Sequence, residues 1–456
     1  MNVRVLVPSG ALGLDFDEEA LSRALALQPD IICIDGGSTD SGPFYLGTGT
    51  SKYSRAATKE EWGRLMRARA KAGVPLVIGT SGTCGADSAV DWMLEITREL
   101  ALEHGDRLKV ATLHSGQPAE RVSAALAADR VKPLMPAPEI SDDLIASCSN
   151  IVALAGAEQI AAALKTGADI VLAGRTTDTA IISALPLMRG AHAGGAWHGA
   201  KVAECGALCS TVPMSGVVVV DFDDQGFTIT PMAEGARCVP HTVSAHMLYE
   251  NSDPFILFEP GGHLDVTGAC YEAASAESVR VTGSKWVPSD HYTVKLEGAW
   301  VAGYQTVILA ILRDARYVAH AREWAEKLTA RLYRDVEKRM GLTADRFDFE
   351  IRLIGVDSAL GPVEHKPSNP AEVGVLGIVT APNAELAQEI GQLANPYLLH
   401  FPLTRDEEMP TFAFPFSPAQ MERGPLYEFC LNHVMELDDP MEAFRLEVHE
   451  VGDGAA

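Results

Sequence analysis

The sequence predicts an α/β protein, with an N-terminal parallel-sheet βαβ domain followed by mixed α+β segments. Three features carry this prediction. Up to about residue 190, short apolar runs alternate with stretches of helical spacing. The strand runs are almost continuously apolar, as in strands covered on both faces. Beyond about residue 215 the spacing shifts to alternating runs closed by short polar turns.

Taken in order, "VRVLVPSG" is a first strand closed by Pro-Ser-Gly, and "DEEALSRALALQP" has helical spacing with acids in its first turn. "DIICID" is a strand. "TKEEWGRLMRARAKAG" reads as a helix opened by a capping box, Thr58 with Glu61, and stopped at Gly73. "VPLVIGT" is a strand, "DSAVDWMLEITRELALEHG" a helix ending at Gly105, and "LKVATLHSG" a strand. "GAEQIAAALKTG" is a helix, "ADIVLAG" a strand, and "TDTAIISALPLM" opens another helix. "GVVVVDFDDQGFTITPM" reads as a hairpin, "ESVRVTGSK" and "HYTVKLEGAWVAGYQTVILAIL" as further strands, and the stretch from Arg313 to Gly341 as one long helix. "FDFEIRLIGV" and "AEVGVLGIVTA" are strands, and "NAELAQEIGQLA" is a helix capped by Asn383. Only "VGDGAA" reads as a frayed tail.

The 456 residues exceed what one hydrophobic core supports, ~250–300 residues. The rhythm suggests three parts: 1–215 as the parallel α/β domain carrying the site, 216–342 as a hairpin and helix domain, and 343–456 as a small α+β domain. A net charge of 37 − 61 = −24 repels phosphate backbones, so nucleic acid is not an expected partner. No apolar run reaches the ~20 residues that span a bilayer, so no membrane partner is expected. The opening "MNVRVLVPSGALG" reads as a strand and not a signal peptide. Eight cysteines without a Cys-x-x-Cys pair read as reduced thiols of a cytoplasmic protein.

Four polar loops follow the apolar runs of the first domain: "DGGSTDSGPFYLGTG", "GTSGTCGAD", "HSGQP" and "AGRTTD". In a parallel sheet the carboxyl ends of the strands share one edge, so these loops are expected to converge there on a small-molecule substrate. They supply Ser38, Thr39, Thr80, Ser81, Gly82, Thr83 and Thr176 as candidate substrate-binding residues. Glycine lets amides approach an anion, hydroxyls donate to it, and Arg175 offers a fork that suits a carboxylate or pairs with Asp178 or Asp169. Asp35, Asp40, Asp178 and Glu204 are the candidate acids and bases, with Asp35, Asp40 or Asp178 alternatively ligands of a divalent cation. No phosphate-loop or dinucleotide glycine pattern is complete. "FEPGGHLDVTG" places Glu259, His263 and Asp265 about a turn, as an acid/base pair, a metal ligand set or a plain hairpin. Cys205 as a nucleophile requires a neighbouring base, and His198, His241 and His246 read as structural.

"GADIVLAGRTTDTAIISALPLM" followed by "AECGALCS" resembles the signature of the acyclic terpene utilisation (AtuA-like) family, formerly a domain of unknown function. The matching residues are Gly167 to Val171, Gly174, Arg175, Asp178, and Glu204 to Gly206. "HTVSAHMLYENSDP" and "IRLIGVDSALG" add to the likeness, which spans most of the chain. Where many relatives carry a glycine-rich loop, this chain reads "NPYLLHFP". Longer relatives have an extra C-terminal domain, so the resemblance implies either a small, separately encoded subunit as a partner or a site that differs from theirs. The family name implies catabolism of branched acyl units, and some relatives are described as ammonia-lyase-like. The combined expectation is a catabolic lyase or hydratase for a small carboxylate or acyl-CoA thioester, and a homo-oligomer. In it Arg175 and the amides of Ser81 to Gly85 hold the anion. The alternative is a non-catalytic ligand- or partner-binding subunit of a catabolic complex.

Overall fold

The structure, a computed structural model, describes residues 2–366 and 369–452. Two compact units emerge, Met1–Trp300 with Phe429–Ala456, and Val301–Glu428.

The first unit is built on a ten-stranded sheet. Its order is Cys270–Ala273, Val279–Thr282, Gly226–Pro231, Val218–Phe222, Val3–Val7, Ile31–Asp35, Leu76–Gly79, Ile170–Ala173, Arg107–His114 and Arg445–Gly452. The five strands from Val3–Val7 to Arg107–His114 are mutually parallel. The flanking strands run antiparallel. The expected hairpin at 216–232 is present and extends this same sheet beside Val3–Val7.

Both faces of the parallel strands are covered. Val3, Val5, Ile31, Cys33, Val77 and Val171 pack on one face, beneath helices Ala157–Lys165, Ala180–Met188 and Ala193–Ala203. Leu6, Ile32, Ile34, Ile78 and Leu172 pack on the other, beneath Glu18–Ala26, Arg55–Ala72 and Asp87–His104. This two-sided burial is why the strands read as continuous apolar runs. A smaller sheet joins Ile256–Glu259, Gly262–Asp265 and Lys285–Pro288. The long strand Tyr292–Leu312 begins in this unit, where it pairs with Cys148–Ala153 and His433–Leu437.

In the second unit, Tyr304–Leu312 of that strand pairs with Val373–Ala381, which pairs with Asp348–Ile354. Helices Ala321–Met340 and Ala384–His400 supply Trp324, Leu328, Leu332 and Ile390 to its core.

Some local expectations change. The helix expected at Thr58 starts at Arg55, with Ser54 accepting the Ala57 N–H, so the capping box does not form. Glu61 instead accepts the N–H groups of Gly13 at 2.7 Å and Asp15 at 3.2 Å, bracing the first βα loop. The helix expected over 313–341 is broken at His320 into Ala315–Ala319 and Ala321–Met340. Of the expected tail, Val451 and Gly452 end a strand; 453–456 lie outside the described residues.

Glycines let the loops at the carboxyl edge touch. A Cβ on Gly36 would lie 2.5 Å from the Thr80 carbonyl oxygen. Gly85 has φ +65°, and its Cβ would lie 2.2 Å from the Arg175 nitrogen. Gly85→Ala should therefore cost about 3 kcal/mol or more, combining a left-handed backbone with a clash against main chain. Gly73→Ala, at φ +69° with open space around it, should cost about 1 kcal/mol. Urea midpoints of the two variants compare them directly.

Candidate active site

The parallel strands end at one edge, so the loops after Asp35, Gly79, His114 and Ala173 emerge together. They meet at Arg175, which is buried. Its Nε donates to Glu297 Oε2 at 3.0 Å and its Nη2 to Oε1 at 3.4 Å. Nη1 donates to Thr80 Oγ1 and to the Thr176 carbonyl, both at 3.2 Å, and Nη2 donates to Thr39 Oγ1 at 3.2 Å. The five N–H donors of the guanidinium thus have protein acceptors. The Arg175 N–H donates to the Gly85 carbonyl, and its own carbonyl accepts from Ser115 Oγ at 3.1 Å.

Glu297 therefore sits in the fork that the sequence assigned to a substrate carboxylate. It comes from the strand Tyr292–Leu312 and also accepts from Lys295 Nζ at 3.2 Å. Burial opposes its ionisation, but Arg175 and Lys295 pull its pKa down to about 2. Burial likewise opposes the charge on Arg175, yet Glu297, Asp178 and Asp35 hold its pKa above the usual guanidinium value.

The amides of the second loop are engaged too. Those of Thr80, Ser81, Thr83 and Gly85 donate to the carbonyls of Gly174, Ala173, Gly36 and Ser81. The first three tie this loop to its neighbours and the fourth closes the loop on itself, where the sequence suggested an anion cradle. Ser81 is buried with an unpartnered Oγ, and Gly82 makes room for Ala89 on the following helix.

A cleft of ≈ 460 Å³ lies at this edge, and Asp35, Ser38, Asp40, Thr83 and Asp178 reach it. Ser38 Oγ accepts the Asp40 N–H at 3.1 Å and shapes the loop. Asp35 Oδ2 accepts the Gly37 N–H at 3.1 Å, while buried Oδ1 has no partner. Burial, reinforced by repulsion from Asp178, holds the Asp35 pKa well above the usual carboxylate range despite Arg175. Asp178 is half-buried, 3.8 Å from Arg175 Nη1. Its pKa is also raised, by burial and then by Glu250 and Asp40, against the pull of Arg175 and Lys201. Asp40 is exposed.

The remaining lining is uneven in charge. Asp15 and Glu250 join the three aspartates, and Lys52 is the one lysine or arginine among the described lining residues. The Thr83 hydroxyl oxygen accepts the Lys52 N–H at 3.0 Å. Leu14, Leu208 and Met214 form an apolar rim, with Met214 94% exposed.

Glu204 is buried beside the cleft and paired with Lys201. Burial raises its pKa to about 8, with Asp178 adding to the effect and Lys201 opposing it. Cys205 lines the cleft, and burial followed by Glu204 pushes its thiol upward, away from nucleophile character. Among the described residues, Glu204, Cys205 and His246 bring three ligand atoms within 4.8 Å of one another, a closeness that Asp35, Asp40 and Asp178 do not reach. Glu259 is buried, accepts from Thr179 Oγ1, and has its pKa lifted to about 7, burial being the main cause. His263 and Asp265 lie on the more exposed side of the Ile256–Asp265 hairpin. His198 is a core histidine between Ser284 Oγ and Tyr271 OH.

The sequence reading missed Glu297, Lys52 and Glu250. Glu297 left one signal, a lone acid inside the apolar run "VKLEGAWV". Glu250 sits inside "HTVSAHMLYENSDP" without standing out there, and Lys52 lies outside the quoted motifs.

A family model described as acyclic terpene utilisation family protein AtuA matches residues 50–411. The chain belongs to this family. Membership in the AtuA family implies a role in acyclic terpene utilisation. No curated protein and no solved structure matches the chain. The AtuA-like stretches fall inside the matched span, and three of them reach the cleft, through Asp178, Cys205 and Glu250. Among the described residues no helix is long and apolar enough to cross a membrane.

Arg175→Ala should leave Glu297 charged and buried without its guanidinium fork, with the Lys295 ammonium as its remaining counter-ion, at a cost of about 3 kcal/mol. Arg175→Met combined with Glu297→Gln should recover most of that loss. Because the folded-state pKa of Glu297 is about 2, below its unfolded value of ~4.3, its stabilisation is complete above the higher value and lost as pH falls through the lower. Urea unfolding between pH 5 and pH 2 should show a shallower loss of stability in Glu297→Gln than in the unchanged chain.

Proposed function

We propose that this AtuA-family chain is a catabolic lyase or hydratase acting on a branched acyl thioester. The observation that carries the reading is Asp35. Its carboxyl lies at the cleft with one oxygen buried and unpartnered, and it keeps its proton to higher pH than an exposed aspartate. Such a group is matched to proton exchange at a carbon next to a carbonyl.

In the hydration direction, Asp35 gives its proton to Cα while Asp178 takes a proton from the water whose oxygen bonds to Cβ. The proton then returns from Asp178 to Asp35 through solvent. The charge that develops on the thioester oxygen needs donors. The Thr83 hydroxyl, whose oxygen already accepts from the Lys52 amide, and the Lys52 ammonium fill that role.

The lining favours a thioester over a free carboxylate. Five acidic side chains, Asp15, Asp35, Asp40, Asp178 and Glu250, face one lysine, so a substrate with a neutral reacting end meets less repulsion. Leu14, Leu208 and Met214 give the branched chain an apolar surface. Arg175 acts in this reading as a positioning residue that holds the loops bearing Asp35 and Asp178.

Asp35→Asn should lower kcat for hydration of a branched α,β-unsaturated acyl-CoA by roughly 100-fold or more, with substrate binding little changed. Loss of enoyl absorbance and solvent deuterium uptake at Cα both read this out. Unaltered turnover in that variant overturns the proposal. The same substitution should raise the melting temperature at neutral pH. An acid with a raised folded-state pKa contributes its stability below the unfolded value and loses it as pH climbs through the folded one. Asparagine removes that loss, so the gap between variant and unchanged chain should widen with pH.

A further inference from the structure

We propose that Glu204, Cys205 and His246 form a zinc site in the cleft wall, with one coordination position open toward the cleft. The three residues come from two pieces of chain. Glu204 caps the helix Ala193–Ala203, Cys205 follows it, and His246 opens the turn His246–Leu248. Their ligand atoms already lie within 4.8 Å of one another. Tetrahedral zinc with bonds of ~2.0–2.3 Å places its ligands about 3.5 Å apart, so side-chain rotation of about 1 Å completes the site.

A second observation points to the same ligand. His246 is 4% exposed, and its Nε2 is buried without a hydrogen-bond partner. A buried ring nitrogen left unpaired is costly, and a cation resolves it. The imidazole is held in place by stacking on Tyr249, with ring centroids 5.5 Å apart and planes 20° apart. The backbone just past the other two ligands is equally fixed, since a Cβ on Gly206 would lie 2.3 Å from the Gly216 carbonyl oxygen.

The donor set selects the metal. Thiolate, imidazole and carboxylate together suit Zn²⁺, whereas Mg²⁺ and Ca²⁺ take oxygen ligands. Thiolate and carboxylate neutralise the ion between them. Lys201 reaches Glu204 through Oε1, leaving the other carboxylate oxygen to bind zinc. Three protein ligands leave a fourth position, as in catalytic zinc sites. Cys205 lines the cleft, so that position faces the substrate space. The identity of the fourth ligand rests on the reading above: if the substrate is an acyl thioester, its oxygen takes that position and the ion polarises it alongside the Thr83 and Lys52 donors.

The test uses the full chain dialysed against chelator and then titrated with Zn²⁺ by calorimetry, with Co²⁺ as a spectroscopic probe. The expected result is one zinc per chain and a thiolate-to-cobalt charge-transfer band. Cys205→Ser should abolish the band, and both it and His246→Gln should weaken zinc binding more than the ~10–100-fold that loss of an outer-shell partner costs. Absence of stoichiometric zinc, absence of the band in the unchanged chain, or undiminished affinity in a folded Cys205→Ser overturns the site. The cobalt spectrum of the unchanged chain decides even where a variant does not fold. Asp35→Asn should bind zinc as tightly as the unchanged chain, so failure of the zinc site and failure of the proton-transfer reading are told apart.

Discussion

The buried pair of Arg175 and Glu297 is the constraint on which the carboxyl edge of this protein depends. Four loops rich in glycine, serine and threonine carry little apolar surface of their own, so hydrophobic burial alone does not order them. They are ordered by converging on one guanidinium, which reaches Thr39, Thr80, Thr176 and Glu297 with its side chain and Gly85 and Ser115 with its backbone. A charge taken out of water is expensive unless every donor is satisfied. Here each is, and the counter-ion arrives from a strand 122 residues away in sequence. The strand thereby ties a distant piece of chain to the edge of the parallel sheet.

The same pair sets the chemistry of the acids nearby. An unopposed arginine beside Asp35 and Asp178 would draw both carboxyls to ionise. Glu297 engages the guanidinium through two contacts, and at Asp35 burial prevails over the pull of Arg175, with repulsion from Asp178 adding to it. The charge network thus ionises Glu297, which is structural, and keeps Asp35 protonatable, as proton transfer requires. Stability is given up at Asp35 and recovered in the ten-stranded sheet that holds it.

Much of the fold was legible because it rests on local rules. The five parallel strands, each closed by a polar loop, and the helices ending at Gly73 and Gly105 all follow from period and capping chemistry. Edge strands such as Arg445–Gly452 were not legible, because exposed strands mix charged with apolar residues and their pairing is decided by distant partners. The site was read in the same proportion. Convergence of the loops follows from parallel topology, but the direction of a side chain does not. Glycines at 36 and 85 could equally cradle an anion or admit a neighbouring loop, and only three-dimensional packing chooses the second. Glu297 showed itself only as an acid out of place in an apolar strand.

The Gly-Arg-x-x-Asp stretch shows how one motif divides its work. Two residues separate Arg175 from Asp178, and the loop turns between them, so the arginine points into the protein while the aspartate reaches the cleft. The arginine holds the geometry and the aspartate takes part in the electrostatics of the opening. The Glu-Cys-Gly stretch divides the same way. Gly206 locks the backbone against Gly216, Glu204 stays buried on Lys201, and Cys205 alone comes to the cleft. Each motif therefore contributes one residue to the opening and uses the others to fix where that residue stands. A pattern that looks like a binding signature in sequence is then mostly scaffold, and its chemistry lies with the residue least shielded from the cleft.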